Sequence, residues 1–337
     1  MSLERLTDNL MSDYIKRGKK PVRRLYLLIP VMIVIALVLG GTYYCRFMMT
    51  EYDFATRLSS LDIDIQIAPI AKNLALPSDD EVNAGDISAQ AAIIVKDDGS
   101  LLASKAATKK MYPASTTKVM TALLALKYGN LSDEIVVPDE SVINEAGASL
   151  AGIHPGDKLT LDELLYGLML PSGNDAANAI AVHIGGSVEN FVKMMNEEAK
   201  RIGAVDTNFV NANGLSDDNH YTTAYDLYLI LNEAMKDSRF VNYAGAASYS
   251  VTYTAADGSQ ITKNWKNGNK YITGQEVIPK GVSVEAGKTG TTFAAGSCLV
   301  LAGKNADGNR YISVVLKAQN RAGLYDNMSK LLSKINK

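Results

Sequence analysis

Strand-type runs at both ends of residues 86–335, with helix-type runs between them, constrain the fold of this 337-residue chain more than any other feature. Residues 91–95 are a short continuous apolar run. Asp97-Asp98-Gly99-Ser100 then reads as a hairpin turn into a second strand at 101–104. Apolar residues at helical spacing (Val119, Leu123, Leu126) predict a helix over 115–126. Further helices are expected at 162–169 (stopped by Pro171), 175–184, 188–202 (with Gly203 as its cap) and 223–235. Strand patterns return at 248–253, 282–286, 297–302 and 311–317, and a last helix covers roughly 325–335. One antiparallel sheet assembled from both ends, flanked by helices and carrying a helical insertion, satisfies this order. That is an α+β architecture.

A charge-free run at 25–44 precedes this region. About 20 apolar residues at a rise of about 1.5 Å cross a bilayer core of about 30 Å. Lys16, Arg17, Lys19, Lys20, Arg23 and Arg24 lie before it, whereas Arg46 after it is soon offset by Glu51 and Asp53. By the positive-inside rule the N-terminus is cytoplasmic and the rest of the chain extracytoplasmic. A cleaved signal peptide fits less well, because the run is long and no small-residue cleavage site follows. A lipid anchor on Cys45 fits poorly too, since bulky Tyr43 and Tyr44 precede it. The expected organisation is a cytoplasmic tail (1–24), a transmembrane helix (25–45), an extracytoplasmic stalk (46–85) and a catalytic domain (86–337).

A net charge of −2 offers nothing to nucleic acid. Two distant cysteines make no disulfide framework, and three scattered histidines have no metal-ligand spacing. Neither a metal nor another cofactor is expected.

Three short motifs carry the chemistry. In Ser115-Thr-Thr-Lys118, the i, i+3 spacing puts a hydroxyl and an amine on one helical face. Serine becomes a nucleophile when a neighbour takes its proton, and lysine can do so only when neutral. Burial and a second cation, such as Lys288, both lower a lysine pKa. A helix start also aims N–H groups at developing negative charge. In Ser172-Gly-Asn174, a loop between two helices can hold a hydroxyl that passes a proton and an amide that binds substrate or orients Lys118. In Lys288-Thr289-Gly290-Thr291, a strand can pair with an extended peptide while Lys288 and Thr289 hold a terminal carboxylate and Gly290 permits close approach. Alone, each motif also has a plain structural explanation: a helix cap, a helix connection, a glycine hairpin.

In this order the motifs resemble the active site of penicillin-binding proteins and serine β-lactamases. Longer stretches narrow the resemblance: Tyr112-Pro-Ala-Ser-Thr-Thr-Lys118, Leu170-Pro-Ser-Gly-Asn-Asp-Ala-Ala177, Asn213-Gly-Leu215 with His220-Tyr-Thr-Thr-Ala224, and Gly287-Lys-Thr-Gly290. The region is similar to the D-alanyl-D-alanine carboxypeptidase family of low-molecular-weight penicillin-binding proteins. The resemblance implies the transpeptidase fold, with Ser115 as acyl-ester nucleophile, Lys118 as general base and Ser172 as proton shuttle. It implies Asn174, Lys288, Thr289, Gly290 and Thr291 as substrate-binding groups, with the N–H groups of Ser115 and Thr291 as oxyanion hole. Arg321 is a further candidate for the substrate carboxylate. His220 is expected to shape a loop as a neutral side chain, and Cys298 to be a buried small hydrophobe.

The implied partners are peptidoglycan stem peptides ending in D-Ala-D-Ala, β-lactams and, through the N-terminal helix, the lipid bilayer. The alternatives are a D,D-endopeptidase, a serine β-lactamase (whose middle motif usually reads Ser-Asp-Asn) and a catalytically silent sensor.

Overall fold

The computed structural model describes residues 82–336, within one compact unit, Gln66–Lys337. Its first sheet has five antiparallel strands in the order β2-β1-β9-β8-β7. They are β1 (Ala91–Lys96), β2 (Leu101–Lys105), β7 (Val282–Thr292), β8 (Gly296–Asn305) and β9 (Arg310–Ala318). Both ends of the domain thus supply one sheet, as the strand order predicts. The uninterrupted apolar character of β1 has a simple cause: the sheet is covered on both faces. Ala91, Ile93 and Val95 join the larger core, whereas Ala92 and Ile94 pack with the last helix.

That last helix is α7 (Arg321–Leu332), which buries Leu324, Tyr325, Met328 and Leu331. The opposite face meets the helical layer: α1 (Lys118–Tyr128), α2 (Leu161–Met169), α3 (Asn174–Gly185), α4 (Val188–Arg201), α5 (Ala224–Ala234) and α6 (Ser238–Ala244). Sequence explains the starts of several helices. Thr160 and Glu163 form a reciprocal capping box on α2, and Ser187, Thr223 and Asn320 accept N–H bonds at the starts of α4, α5 and α7. Gly203, one residue past the cap of α4, has φ +89°.

The expectation of a single sheet needs correction. The run at 248–254 belongs to a second, four-stranded sheet, ordered β3-β4-β5-β6. Its members are β3 (Glu134–Val136), β4 (Lys158–Thr160), β5 (Ser248–Thr254) and β6 (Gln260–Lys266). Two of these have only three residues, too few to show a period. β6 is polar and largely exposed, so it reads as loop. The expected helix at 115–126 begins instead as a 3-10 turn, Ala114–Thr117, before α1. The charge-free run, the tail and most of the expected stalk lie outside the described residues. Val82 bridges Ser104 beside β2. Among the described residues, no helix is long and apolar enough to cross a membrane.

The loop before α2 is fastened by one buried carboxylate. Asp175 accepts from the backbone N–H groups of Ala151 (2.8 Å), Gly152 (2.8 Å), Ile153 (3.2 Å) and Ala176 (2.9 Å). Trp265 of β6 donates its indole N–H to Ala151 O at 2.9 Å, tying the second sheet to the same loop. Asp175→Ala would leave buried donors without partners. The expected loss is about 2–4 kcal/mol, or roughly 5–15 °C in the unfolding midpoint, read by thermal denaturation. A variant melting within about 2 °C of the parent would show that the loop does not depend on this carboxylate.

Candidate active site

The 3-10 turn sets Ser115 half-buried and directly ahead of α1. Lys118, the first residue of α1, is fully buried. Its Nζ lies 3.0 Å from Ser115 Oγ, 2.6 Å from Asn174 Oδ1 and 2.5 Å from the Asn213 carbonyl. Both carbonyl oxygens can only accept. In a neutral amine, two N–H bonds therefore go to Asn174 and Asn213, and the lone pair faces the Ser115 hydroxyl. The amine is biased to that form. Burial, and next the neighbouring Lys288 cation, hold the Lys118 pKa well below its usual value, against a smaller opposing pull from Asp175.

Ser172 adopts a left-handed backbone, φ +64°, which non-glycine residues rarely do. Its hydroxyl accepts from Lys288 Nζ at 2.9 Å. No hydrogen bond joins it to Ser115 or Lys118. Lys288 also donates to the Thr289 carbonyl at 3.0 Å. Burial, with a smaller contribution from Arg321, pushes the Lys288 pKa down to about 7. This amine can therefore hold or release a proton at neutral pH.

Lys288, Thr289, Gly290 and Thr291 all lie on β7, the edge strand of the main sheet. Gly290 is required here: an added Cβ would stand 2.7 Å from Ser115 N and 3.0 Å from Ala114 Cβ. Gly214 makes the matching approach from the other side. At φ +89° it packs so closely on Ala114 that any side chain would collide with that carbonyl. Ala114 itself has φ +49°, so the backbone just before Ser115 is strained between two glycines. Arg321, the exposed first residue of α7, reaches the Gly268 carbonyl at 3.4 Å. A Cβ on Gly268 would lie 3.3 Å from Thr289 Oγ1 and 3.8 Å from the guanidinium, so both groups border one small space.

The motif residues are therefore neighbours: Ser115, Lys118 and Asn174 are joined by hydrogen bonds, Gly290 lies against Ser115, Lys288 binds Ser172, and Thr289 and Thr291 flank Gly290 on β7. His220 stands behind them. The Val210 N–H donates to Nδ1 (3.1 Å), so Nε2 carries the proton and donates to Thr117 Oγ1 (2.8 Å), which in turn donates to Ala114 O (2.9 Å). Burial lowers the His220 pKa to about 4, which keeps it neutral. It buttresses the turn carrying Ser115. Cys298 is buried on β8, and burial pushes its thiol up to about 11. Two contributors were missed from sequence: the backbone carbonyl of Asn213 and the anchoring carboxylate of Asp175. Both fall in stretches that carried the family resemblance, which was the only signal available.

A family model described as D-alanyl-D-alanine carboxypeptidase matches residues 78–320. Among curated relatives, the D-alanyl-D-alanine carboxypeptidase DacF of Bacillus subtilis is 33% identical over 232 residues, covering 68% of this chain and 57% of that protein. The chain thus spans little more than half the length of DacF. The D-alanyl-D-alanine carboxypeptidase of Streptomyces sp. strain K15 is 35% identical over 231 residues, covering 65% of this chain and 76% of that one. The crystal structure of the Streptomyces K15 DD-transpeptidase superposes with a TM-score of 0.68 at 31% identity, covering 74% of this chain and 97% of that chain. A penicillin-binding protein homologue from Mycobacterium tuberculosis superposes with a TM-score of 0.65 at 29% identity. The family model matches more than half of the chain and the solved fold superposes on it, and the chain belongs to the D-alanyl-D-alanine carboxypeptidase family.

Proposed function

We propose that the chain is a membrane-anchored serine D,D-carboxypeptidase that removes the terminal D-alanine from peptidoglycan stem peptides. The observation that carries this is the setting of Lys118, whose amine is held by two carbonyls with its third position on Ser115 Oγ. Ser115 Oγ attacks the carbonyl carbon of the penultimate D-alanine as Lys118 takes its proton. The oxyanion is received by the N–H groups of Ser115 and Thr291. Thr289 O accepts from Lys288 and so faces the cleft. Alternation along a strand turns Thr291 N–H the same way. The Ser172–Lys288 pair delivers a proton to the departing amine, and water then hydrolyses the ester. Thr289, Lys288 and Arg321 receive the substrate carboxylate, while Asn174 holds both a substrate amide and the base. β-Lactams acylate the same serine. An endopeptidase acting on cross-links would use the same residues. A silent sensor has no need of a neutral lysine against a serine.

Ser115→Ala should lose at least about a thousandfold in D-alanine release and all covalent labelling by fluorescent penicillin. His220→Ala should remain labelled, though with a lower melting temperature. Stable labelling of a folded Ser115→Ala protein would remove Ser115 as nucleophile.

Lys288→Gln tests the electrostatics. It removes a cation that lowers the Lys118 pKa, so that pKa rises and Lys118 becomes neutral only at higher pH. The acid limb of the penicillin-acylation profile should move to higher pH, and D-alanine release should fall roughly 100-fold or more. An acid limb that stays put or moves down would contradict the coupling.

The anchoring rests on the charge-free run 25–44 and its basic flank. Protease added outside intact cells should digest residues after 46 and spare the tail. Protection of the catalytic domain under those conditions would reverse the orientation.

A further inference from the structure

Gly268 borders the carboxylate-receiving groups, yet it belongs to none of the three motifs. It lies just past β6, in the run Asn267-Gly268-Asn269. An added Cβ would stand 3.3 Å from Thr289 Oγ1 and 3.8 Å from the Arg321 guanidinium. Its N–H donates to the carbonyl of Leu170, two residues before Ser172, at 3.2 Å. The position thus faces β7 and α7 and is tied to the segment that carries Ser172.

The backbone does not call for glycine here. Gly268 is not among the glycines of positive φ, the region that favours glycine. Its neighbours hold it in place. Buried Asn267 donates to the Ala246 carbonyl at 2.9 Å and accepts the Asn269 N–H at 2.9 Å. Buried Asn269 accepts the Tyr271 N–H at 3.1 Å. Gly268, between them, is exposed, and so is Arg321. What the missing side chain provides is room: a gap beside Thr289 and Arg321 that opens to solvent.

That gap lies where the leaving residue must place its side chain. In a D,D-peptide the terminal carboxylate and the last side chain are bonded to the same Cα. With the carboxylate at Thr289, Lys288 and Arg321, the side chain begins one carbon away. The inner side of β7 is filled, since Gly290 lies against Ser115 and Lys288 binds Ser172. The Gly268 side is open. A closed pocket of methyl size would reject each added methylene by about tenfold or more, whereas an open gap does not.

We propose that Gly268 sets the size of the leaving residue: the gap admits a D-amino acid with a side chain longer than the alanine methyl, so the chain releases larger D-residues as well as D-alanine. This rests on the peptidase function above, which places the terminal carboxylate at Thr289. The chemistry is unchanged. The Ser115 ester forms as the amide C–N bond breaks, the larger residue departs as a free amine, and water hydrolyses the same D-alanyl ester.

The test uses the full chain and two peptides with one acyl part, ending in D-Ala-D-Ala or D-Ala-D-norleucine. Both give the same acyl-enzyme, so any difference between them lies in the step that expels the last residue. Their kcat/KM values should agree within about tenfold. Gly268→Val places two branches at the gap, which cannot both turn away. Release of D-norleucine should then fall at least about tenfold further than release of D-alanine, with Gly268→Ala between the two. Thermal denaturation confirms that each variant is folded; if the valine variant is not, the alanine variant should still shift the ratio by about threefold. A preference of the unmutated chain for D-alanine above about 100-fold would overturn the role of Gly268 and leave the peptidase function standing. So would folded variants that lower both activities equally. A chain labelled by penicillin that releases neither residue would overturn the peptidase function, and the role of Gly268 with it.

Discussion

The site depends on a lysine buried without a carboxylate on its nitrogen. A charged amine in such a place is costly, so the group tends to give up its proton. Lys118 has three oxygen neighbours, all formally neutral. The nearest acid, Asp175, follows Asn174 directly, yet its oxygens are taken by four backbone N–H groups. The carboxylate thereby organises the loop beside the site without clamping a proton on Lys118. Had one of its oxygens turned to Nζ, the lysine would be held as a cation, unable to take the proton that the proposed reaction gives it.

Three separate parts of the chain meet around that amine: the turn at 114–118, the start of α3 and the 211–215 loop. The fourth wall, β7, comes close because it is an edge strand with glycine at the contact. Close approach has local costs. Ala114, directly before Ser115, and Ser172, itself a residue of the site, both hold left-handed backbone conformations. Such strain persists only where the surroundings over-determine it. Here Gly214, Gly290 and the His220–Thr117–Ala114 hydrogen-bond chain do so for Ala114, and Lys288 holds the hydroxyl of Ser172.

Side chains with obligatory chemistry were legible in the sequence. Ser115, Lys118, Ser172, Asn174 and Lys288 stand out because few residue types suit the roles proposed for them. The long helices and the five-strand sheet were legible too, since their apolar patterns run for several residues. Asn213 was opaque as a partner of Lys118 because it acts through its backbone carbonyl, which every residue has. Asp175 reads as an ordinary first-turn acid on a helix; only the folded loop shows its oxygens spanning to residues 151–153. The second sheet was lost for another reason. β3 and β4 are too short for periodicity and the polar β6 resembles a loop, so β5, legible as a strand, had no visible partners and was assigned to the main sheet.

The cations of the site form a series from interior to surface. Arg321, exposed, helps depress Lys288, and Lys288 helps depress Lys118. An empty cleft therefore keeps Lys288 near its midpoint at neutral pH. In the proposed reaction a substrate carboxylate arrives beside Thr289, Lys288 and Arg321. Its negative charge opposes the Arg321 field and raises the Lys288 pKa, so Lys288 holds its proton when a leaving amine needs one. A protonated Lys288 in turn keeps the Lys118 pKa low, which favours the neutral base facing Ser115. Substrate binding at one end of the series thus sets opposite protonation states on two lysines, and no conformational change is needed to separate the acid from the base.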